Sequence, residues 1–396
     1  MIAFIRLPLP SSSQASSRKK PPLTCSSKPP GQSSDCQDHG DSHPNEPSWE
    51  LLQNRISTLR EREVSRNRTI AHNWRTGKYR ASIIASVSND FVRKLAFRGD
   101  FMVLGTASGS VVFSDLVSGL RVCSPKVHAG QVTAIDYRDG YFATAGSVDK
   151  QVFVWPSPQY EKRSFWAKRV VRKMDVEGEL PPPRLQIGGH GDYITSLQIH
   201  AETGRLYSAS ADGTVRVTQL DTGETLQVIR VGDPIYSMVL TKKGYLLLGC
   251  ASGKVQAYQA EEGLYLLSIH CHTAHTTAID YEEETELLAT GDASGHLDIW
   301  SLRNSSHIAS LNRHHAAVMS LQMDGAKIVT ASRDGCVAVH PIDDVENSYA
   351  ICGFTRYLGA VAFDETRLIA DGTNDVIVCH RFDIDEQPSP KHLDGT

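Results

Sequence analysis

A turn motif that recurs along most of the chain constrains the fold more than any other feature. A short turn followed by alternating β-branched residues occurs seven times, at successive steps of 41, 63, 40, 42, 40 and 40 residues. The third residues of the seven turns are Gly109, Lys150, Gly213, Gly253, Gly295, Gly335 and Asp375. A period near 40 predicts seven copies of one supersecondary unit. The copies must stack, because a single unit cannot bury its own apolar face.

Each period contains short apolar runs separated by Gly or Asp turns, for example at 133–137, 246–249 and 296–300. Such runs favour antiparallel strands. Four strands per unit, arranged radially, would leave only short exposed edges. We therefore predict an all-β fold, a seven-bladed β-propeller over residues 79–384. The strand at 79–85 should complete the last blade and close the ring.

The flanking segments differ in composition from the repeats. Residues 1–47 hold 8 of the 18 prolines and no acidic residue before Asp35. This predicts a disordered tail, and an organelle transit peptide is the alternative because such peptides are basic, Ser-rich and poor in acids. Apolar residues at helical spacing predict a helical connector over residues 48–78. Residues 385–396 should form a flexible C-terminal tail.

Composition excludes several classes of protein. The net charge of −4 argues against a strongly basic nucleic-acid binder. No run approaches the roughly 18 apolar residues of a membrane span. The eight cysteines are scattered without a C-x-x-C pair, which is untypical of a disulfide scaffold or structural zinc and fits a reducing compartment. Common catalytic motifs are missing, so we expect neither enzymatic activity nor a bound cofactor or metal. The expected location is the cytoplasm or the nucleus.

The repeats resemble those of WD-repeat proteins. Gly189-His190 resembles the Gly-His step of that family, and related histidines stand at His128, His275 and His315. In the family, a turn aspartate, a strand hydroxyl, the histidine and a tryptophan form a buried hydrogen-bonded chain. The resemblance implies that such a chain is structural here and not catalytic. The residues that it assigns to this role are His190, Ser208, Asp212, His128, Asp149, Trp155, Asp334 and Trp300.

The connector carries a second resemblance. Asn73–Lys78 and the preceding helix resemble the segment that joins the F-box to the propeller in F-box/WD-repeat proteins, which are substrate receptors of cullin-type ubiquitin ligases. An F-box itself is not evident, because Leu7–Pro10 is followed by serines and prolines. The resemblance implies a non-enzymatic substrate-recognition subunit with a Skp-type adaptor and a cullin as partners. The alternative is a WD-repeat scaffold in RNA processing, transcription or trafficking. The oligomeric state stays open.

Two positions of the repeat are expected on a surface that binds partners. The residue before each turn is uncharged except for Arg333, and the residue just ahead of each innermost strand is uncharged except for Arg93. Tyr236 occupies the second position in the fourth repeat. In F-box/WD receptors of phosphorylated segments, arginines stand at these positions, so the resemblance implies phosphate binding, which suits a guanidinium. The alternative is a local ion pair with Asp90 or Asp334.

The step of 63 residues contains an insertion near residues 156–187. Basic and aromatic residues are interleaved there, among them Trp166, Lys168 and Arg169. This pattern favours contact with an acidic partner, an anionic membrane surface or nucleic acid, although the overall charge makes nucleic acid less expected. A solvated, projecting loop is the alternative.

Overall fold

The computed structural model describes residues 49–87, 90–119, 121–138, 140–157, 177–354, 358–371 and 376–384. The predicted tails and the basic part of the insertion lie outside these residues. The chain divides into two compact units at Asn67. The first unit contains the beginning of helix α1 (Trp49–Thr76), and the second contains its last turns and all of the strands.

The strands form seven sheets, called blades 1 to 7, which confirms the predicted all-β, seven-bladed propeller. Blade 1 is β2 (Val92–Arg98), β3 (Phe101–Thr106), β4 (Val111–Asp115), β5 (Arg121–Ser124) and β9 (Glu177–Glu179). Blade 2 is β6 (Val132–Arg138), β7 (Tyr141–Gly146), β8 (Val152–Pro156) and β10 (Leu185–Ile187). Blade 3 is β11 (Ile194–His200), β12 (Arg205–Ser210), β13 (Thr214–Gln219) and β14 (Thr225–Arg230).

The remaining blades keep the same four-stranded plan. Blade 4 is β15 (Ile235–Leu240), β16 (Tyr245–Cys250), β17 (Lys254–Gln259) and β18 (Tyr265–His270). Blade 5 is β19 (Thr276–Glu282), β20 (Leu287–Asp292), β21 (Leu297–Ser301) and β22 (Ser306–Leu311). Blade 6 is β23 (Val318–Met323), β24 (Lys327–Ser332), β25 (Cys336–Pro341) and β26 (Tyr349–Cys352), with a 3-10 turn at Val345–Asn347. Blade 7 is β27 (Val361–Phe363), β28 (Arg367–Asp371), β29 (Val376–Arg381) and β1 (Arg80–Ser86).

The first strands of the blades form the inside of a closed ring. Contacts run in order from β2 to β6, β11, β15, β19, β23 and β27, and β27 also contacts β2. Each of the first six of these strands has a register shift between its first and third residues. The residue between them belongs to a β-bulge, a feature that redirects a side chain away from the regular pleat. The six bulge residues are Arg93, Thr133, Thr195, Tyr236, Thr277 and Met319.

Side chains link several neighbouring inner strands. In four blades, an Asp or Gln at the fifth position of the inner strand accepts a hydrogen bond from a backbone N–H of the next inner strand. The pairs are Asp136–Ile199, Gln198–Leu240, Asp280–Met323 and Gln322–Phe363. In blades 1 and 4 the corresponding residues, Ala96 and Val239, have no side-chain acceptor. Burial raises the pKa of Asp280 to about 6, although it accepts the Met323 N–H at 2.8 Å.

The ring is closed by strands from the two ends of the propeller. β1 pairs antiparallel with β29, with Arg80 opposite Arg381 and Ser86 opposite Val376. This confirms the closure predicted from the sequence. Ala85 from β1 shares one apolar cluster with residues of blades 1 and 7, including Leu104 and Ile377. The outer strand of blade 7 therefore also contributes to the contact with blade 1.

The last turns of α1 anchor this closure. The ring of Trp74 stacks on Phe382 with 3.6 Å between the centroids, and its Nε1–H donates to the Glu365 carbonyl at 2.7 Å. Asn73 Nδ2 donates to the Phe382 carbonyl at 2.8 Å. Gly77 ends the helix at φ +67°, a left-handed conformation that glycine adopts without strain. The Asn73–Gly77 segment thus fastens the start of the propeller to its end.

The structure corrects the loop interpretation for the end of the insertion. β9 joins blade 1 as a fifth strand, parallel to β5, and β10 is the outer strand of blade 2. Leu180, between them, is buried, and the Pro181 carbonyl accepts a hydrogen bond from Trp155 at 2.9 Å. Residues 177–187 are therefore built into two sheets, because they bury an apolar side chain and satisfy an indole N–H.

Replacing Trp74 should test the anchor. Trp74→Ala removes the stacking on Phe382, and truncation of a buried tryptophan typically costs about 3–5 kcal/mol in the free energy of unfolding. Arg75→Ala is the matched control, because Arg75 is exposed and its ion pair with Asp343 is worth at most about 1 kcal/mol. Urea unfolding measures both. Equal stability of the two variants would contradict the anchoring role.

Candidate protein-binding face

A hydrogen-bonded network fixes the turn between β12 and β13 in blade 3. The carboxylate of Asp212 accepts hydrogen bonds from His190 Nδ1 at 3.0 Å and from the Gly191 backbone at 2.7 Å. His190 Nε2 lies 2.9 Å from the Ser208 hydroxyl. Burial raises the pKa of Asp212, but hydrogen bonds from Thr214, Gly191 and His190 outweigh it, so the net shift is downward. The network holds an ionised carboxylate and a neutral imidazole, since burial lowers the pKa of His190.

Blades 2 and 6 repeat this arrangement. In blade 2, His128 lies 2.8 Å from both Asp149 and the Thr144 hydroxyl. In blade 6, His314 lies 2.9 Å from Asp334 and 2.8 Å from the Thr330 hydroxyl. The histidine in blade 6 is therefore His314, and the assignment to His315 is wrong. The adjacent His315 is exposed and contributes its backbone N–H to Asp334.

Blade 5 departs from the pattern, and its histidine is His272, not His275. His272 Nδ1 lies 3.4 Å from Asp298 and 3.7 Å from Asp292, longer than the corresponding distances in the other three blades. The likeness to Gly-His misled the assignment, because His272 and His275 both lie in the short loop before β19, directly after His270 at the end of β18. His275 is instead exposed, with Nδ1 2.5 Å from the Ala251 carbonyl.

The two tryptophans expected in the network, Trp155 and Trp300, do not take part in it. Trp155 is fully buried, stacks on Phe142 at 5.0 Å and donates to Pro181 instead of to the Thr144 hydroxyl. In blade 6 a histidine takes the place of the tryptophan: His340 Nε2 lies 3.3 Å from Thr330. Burial, with the charges of His314 and Arg313, lowers the pKa of His340 to about 3. Trp300 packs edge-on against His307, and its buried Nε1–H has no acceptor among the described residues.

The order Asp212–His190–Ser208 matches the connectivity of a hydrolase triad, in which the aspartate binds Nδ1 and the nucleophile binds Nε2. The environment of the hydroxyl argues against that chemistry. Ser208 is 3% exposed, in the middle of β12 and between two paired strands, so a substrate carbonyl cannot approach it. The networks therefore serve to position the turns, which carry the candidate binding residues.

Arg93 and Arg333 lie on blades that flank blade 7. Arg93 is the bulge residue of β2, and Arg333 is exposed in the turn between β24 and β25. Asp90 accepts hydrogen bonds from Ser108 and the Phe91 backbone, and Asp334 accepts them from His314 and two backbone N–H groups. These two carboxylates are thus engaged by groups other than the predicted arginine partners. Among the described residues, the Arg333 guanidinium has no hydrogen bond or ion pair.

Tyr236 belongs to a row of rings that crosses three blades. Burial, and after it the neighbouring Tyr236, raises the pKa of Tyr193 in blade 3. On its other side, the Tyr236 ring lies 5.5 Å from the His275 ring of blade 5. Tyr193 and His275 were not among the candidate binding residues predicted from the sequence. The signal was available, because each stands immediately before the first residue of an inner strand.

A disulfide lies next to the Arg333 turn. Cys336 and Cys352 are directly opposite each other on β25 and β26, with 4.2 Å between their Cα atoms. The scattered cysteines, which fitted a reducing compartment, did not predict this pair. The two residues are 16 apart in the sequence and no local motif marks them, so only the strand register reveals the pairing. The bond ties the end of the turn to the outer strand of blade 6.

A buried carboxyl lies at the seam between blades 7 and 1. Asp371, at the end of β28, accepts hydrogen bonds from the backbone N–H groups of Gly359 at 3.1 Å and Ala360 at 3.4 Å. Burial raises the pKa of Asp371 to about 7, against the opposing effect of these bonds and of the Lys94 charge. Burial also lowers the pKa of Lys94. The charge at this seam, beside Arg93, thus depends on pH near neutrality.

Other predicted features have no described geometry. Trp166, Lys168 and Arg169 lie outside the described residues. Within the described ranges, no group of three or more His, Cys, Asp or Glu side chains is arranged to hold a metal ion. Helix α1, as described, is too polar to cross a membrane.

Comparison with known proteins supports the repeat assignment. Residues 182–218, from the end of the insertion into β13, match the family model described as WD domain, G-beta repeat. The computationally designed Ika8 protein, known from a crystal structure, superposes with a TM-score of 0.55 over 76% of this chain and 99% of its own, at 17% identity. That identity supports the fold alone.

Three curated proteins illustrate the sequence relatives. The pre-rRNA-processing protein IPI3 of Yarrowia lipolytica is 26% identical over 258 residues, 64% of this chain and 52% of its own. The periodic tryptophan protein 2 homolog of Caenorhabditis elegans is 25% identical over 46% of this chain and 21% of its own. Pre-mRNA-processing factor 19 of Bos taurus is 23% identical over 34% and 27%. The chain thus spans about half or less of the length of these relatives.

The turn network can be tested in blade 3. Asp212→Ala removes the acceptor of His190 and of the Gly191 N–H, and unsatisfied buried partners cost about 1–3 kcal/mol in the free energy of unfolding. Glu261→Ala, at an exposed turn, is the control and should be nearly neutral. Coinciding denaturant midpoints for the two variants would show that the network does not stabilise the blade.

Asp371 should make stability depend on pH in a defined direction. The folded pKa of Asp371, about 7, lies above the ordinary value of about 3.9, so the folded state holds the proton more tightly than the unfolded state. The stabilisation that this provides is fully present below pH 3.9 and is lost as the pH rises through 7. Asp371→Asn cannot ionise. The free energy of unfolding of the variant minus that of the wild type should therefore increase from pH 5 to pH 8. Chemical denaturation at several pH values measures this difference, and a flat or decreasing difference would contradict the raised pKa.

Proposed function

We propose that this chain is a non-enzymatic scaffold that binds other proteins through the loop face of its propeller, in a multi-subunit assembly of the RNA-processing kind. The loop face is defined here by the bulge residues and by the turns that precede the third strands. The observation that carries the proposal is the contact between the Tyr236 and His275 rings of blades 4 and 5, with Tyr193 of blade 3 close enough to Tyr236 that this neighbour, after burial, raises the pKa of Tyr193. Exposed Arg333 lies on the same face in blade 6.

The chemistry of this face suits protein contact. Tyrosine and arginine are enriched among the residues that dominate binding energy at interfaces, because each combines a large contact area with polar groups. The face also rests on rigid support, since buried Asp–His–hydroxyl networks hold the turns of blades 2, 3 and 6. Such preorganisation reduces the entropy lost on binding. A non-enzymatic role fits the burial of the hydroxyl groups in these networks.

The assembly class is inferred from the relatives. Two of the three proteins named above carry RNA-processing names, pre-rRNA-processing and pre-mRNA-processing. A scaffold of that kind would work in the nucleus or cytoplasm, which agrees with the location expected from the sequence. Partial coverage of each relative leaves the particular assembly and partner to experiment.

The ubiquitin-ligase reading is the weaker candidate. Its basis was the resemblance at Asn73–Lys78, and in the structure Asn73 and Trp74 fasten the end of the ring through Phe382 and Glu365. Any propeller preceded by a helix has use for such an anchor, so the motif does not require an F-box. The two arginines could still bind a phosphate, and a phosphopeptide screen on Arg93→Ala and Arg333→Ala would detect it.

Affinity purification of the tagged full chain tests the proposal. After nuclease treatment, the wild type should still retain RNA-processing proteins. Tyr236→Ala and Arg333→Ala should each reduce the recovery of these proteins about fivefold or more, because truncation at a binding hot spot costs at least about 1 kcal/mol of binding free energy. Arg230→Ala, on the outer strand of blade 3, is the matched control. Recovery of a Skp-type adaptor and a cullin in place of RNA-processing proteins would overturn the proposal in favour of the ligase.

A further inference from the structure

The outer edges of the blades differ in how they are protected. An outer strand leaves backbone N–H and C=O groups unpaired, and proteins usually shield such edges with charges, prolines, short strands or a covering segment. β5 is covered by β9. β14 and β1 carry a charged residue, Arg230 and Arg80, while β10 and β26 have only three and four residues.

β18 in blade 4 has none of these protections. It has six residues, Tyr265–His270, with no lysine, arginine, acid or proline, and it is the last strand of its sheet within the described residues. Tyr265 is 55% exposed, and the preceding Leu264 is 53% exposed. The outer strand of blade 5, β22, has equal length but fewer apolar residues, and its second residue, His307, lies 3.6 Å from Asp298. Of the two six-residue outer strands that lack lysine, arginine, acid and proline, β18 is thus the more apolar edge.

The charges at the two ends of β18 differ. Glu261 and Glu262 are exposed in the turn that precedes the strand, and within the described part of the chain neither carboxylate has a hydrogen bond or ion pair. At the other end, His270 lies opposite the exposed Lys254 of β17. A segment that paired with β18 would meet negative charge at one end, a neutral apolar middle, and positive charge at the other.

The molecule already shows that a blade accepts a fifth strand. β9 pairs with the edge of β5 in parallel, from Arg121 opposite Glu177 to Cys123 opposite Glu179. That strand comes from the insertion and is not part of the repeated four-stranded plan. Strand addition to an exposed edge is also a general mode of peptide recognition, in which main-chain hydrogen bonds give affinity and alternate side chains give specificity.

We propose that β18 is a docking edge for an extended segment of a partner protein, which joins blade 4 as a fifth strand. The segment has an uncharged, apolar middle and basic residues at the end that lies beside Glu261 and Glu262. This surface lies at the outer edge of blade 4 and is separate from the loop face of the proposed function. A partner held here can leave the loop face open for a second one.

A labelled synthetic peptide tests the proposal on the full chain. The probe has about ten residues, alternating valine and threonine, with two lysines at one end, and it is made in both orientations. The tighter of the two should slow amide hydrogen exchange at residues 264–270, and replacing its central residue by proline should abolish binding. Ser268→Lys should weaken binding about tenfold, because a charge then stands in the middle of the edge.

Ser82→Lys is the matched control, since Ser82 is also an exposed serine within an outer strand, β1, and it should leave the peptide affinity unchanged. If Ser268→Lys lowers the melting temperature, Tyr265→Lys, at another exposed position of β18, replaces it. Glu262→Lys should also weaken the lysine peptide. Absence of protection at residues 264–270 in the presence of saturating peptide would overturn the proposal. Sedimentation that shows self-association of the wild type, abolished by Ser268→Lys, would also overturn it by assigning the edge to a second copy.

Discussion

The pairing of β1 with β29 is the interaction on which the rest of the structure depends. Without it, blade 7 would lack its outer strand, and the ring would be held at that point by side-chain contacts alone. The chain reinforces this pairing from one side with α1, whose Trp74 stacks on Phe382 just beyond β29. Lys327 of blade 6 lies 4.5 Å from the Trp74 ring, so the anchor also reaches the neighbouring blade. Closure therefore combines backbone pairing, aromatic stacking and a cation–π contact.

Within the closed ring, the blades keep one architecture while their polar networks vary. Blades 2, 3 and 6 pair one histidine with one carboxylate, whereas blade 5 surrounds His272 with Asp292 and Asp298. A buried carboxylate is tolerated when hydrogen bonds compensate its lost hydration, and the turns supply these bonds from their own backbone N–H groups. The hydroxyl, the histidine and the aromatic position can then change from blade to blade without loss of the turn.

Much of the fold was predictable because its signals are periodic. The spacing of the turns gave the number of blades, and the strand-like segment at 79–85 gave the closure. The errors concern features that depend on register or on distant contacts. In His314-His315, a shift by one residue exchanges a buried imidazole for an exposed one. Cys336 and Cys352 meet through strand register, and β9 pairs with a strand more than fifty residues earlier.

The candidate site was predictable in part for the same reason. One repeated sequence position identified Tyr236 and Arg93, and the structure shows that in blades 1 to 6 this position is the bulge residue. It could not indicate that Tyr193 and His275 stand beside Tyr236, because their proximity depends on the angle between blades. Nor could it indicate what Asp90 and Asp334 bind, since both are occupied by local hydroxyl, backbone and imidazole donors.

The links between inner strands also bear on how the ring would respond to force. Side chains of Asp136, Gln198, Asp280 and Gln322 join blades 2 to 4 and blades 5 to 7 into two stiff arcs. Ala96 and Val239 interrupt the series after blades 1 and 4. The joint between blades 4 and 5 is linked by its turns instead, because the Lys242 backbone N–H donates to Glu283 and Lys243 pairs with Glu286. Tension across this joint would load an exposed ion pair that salt screens, whereas within each arc it would load part-buried hydrogen bonds.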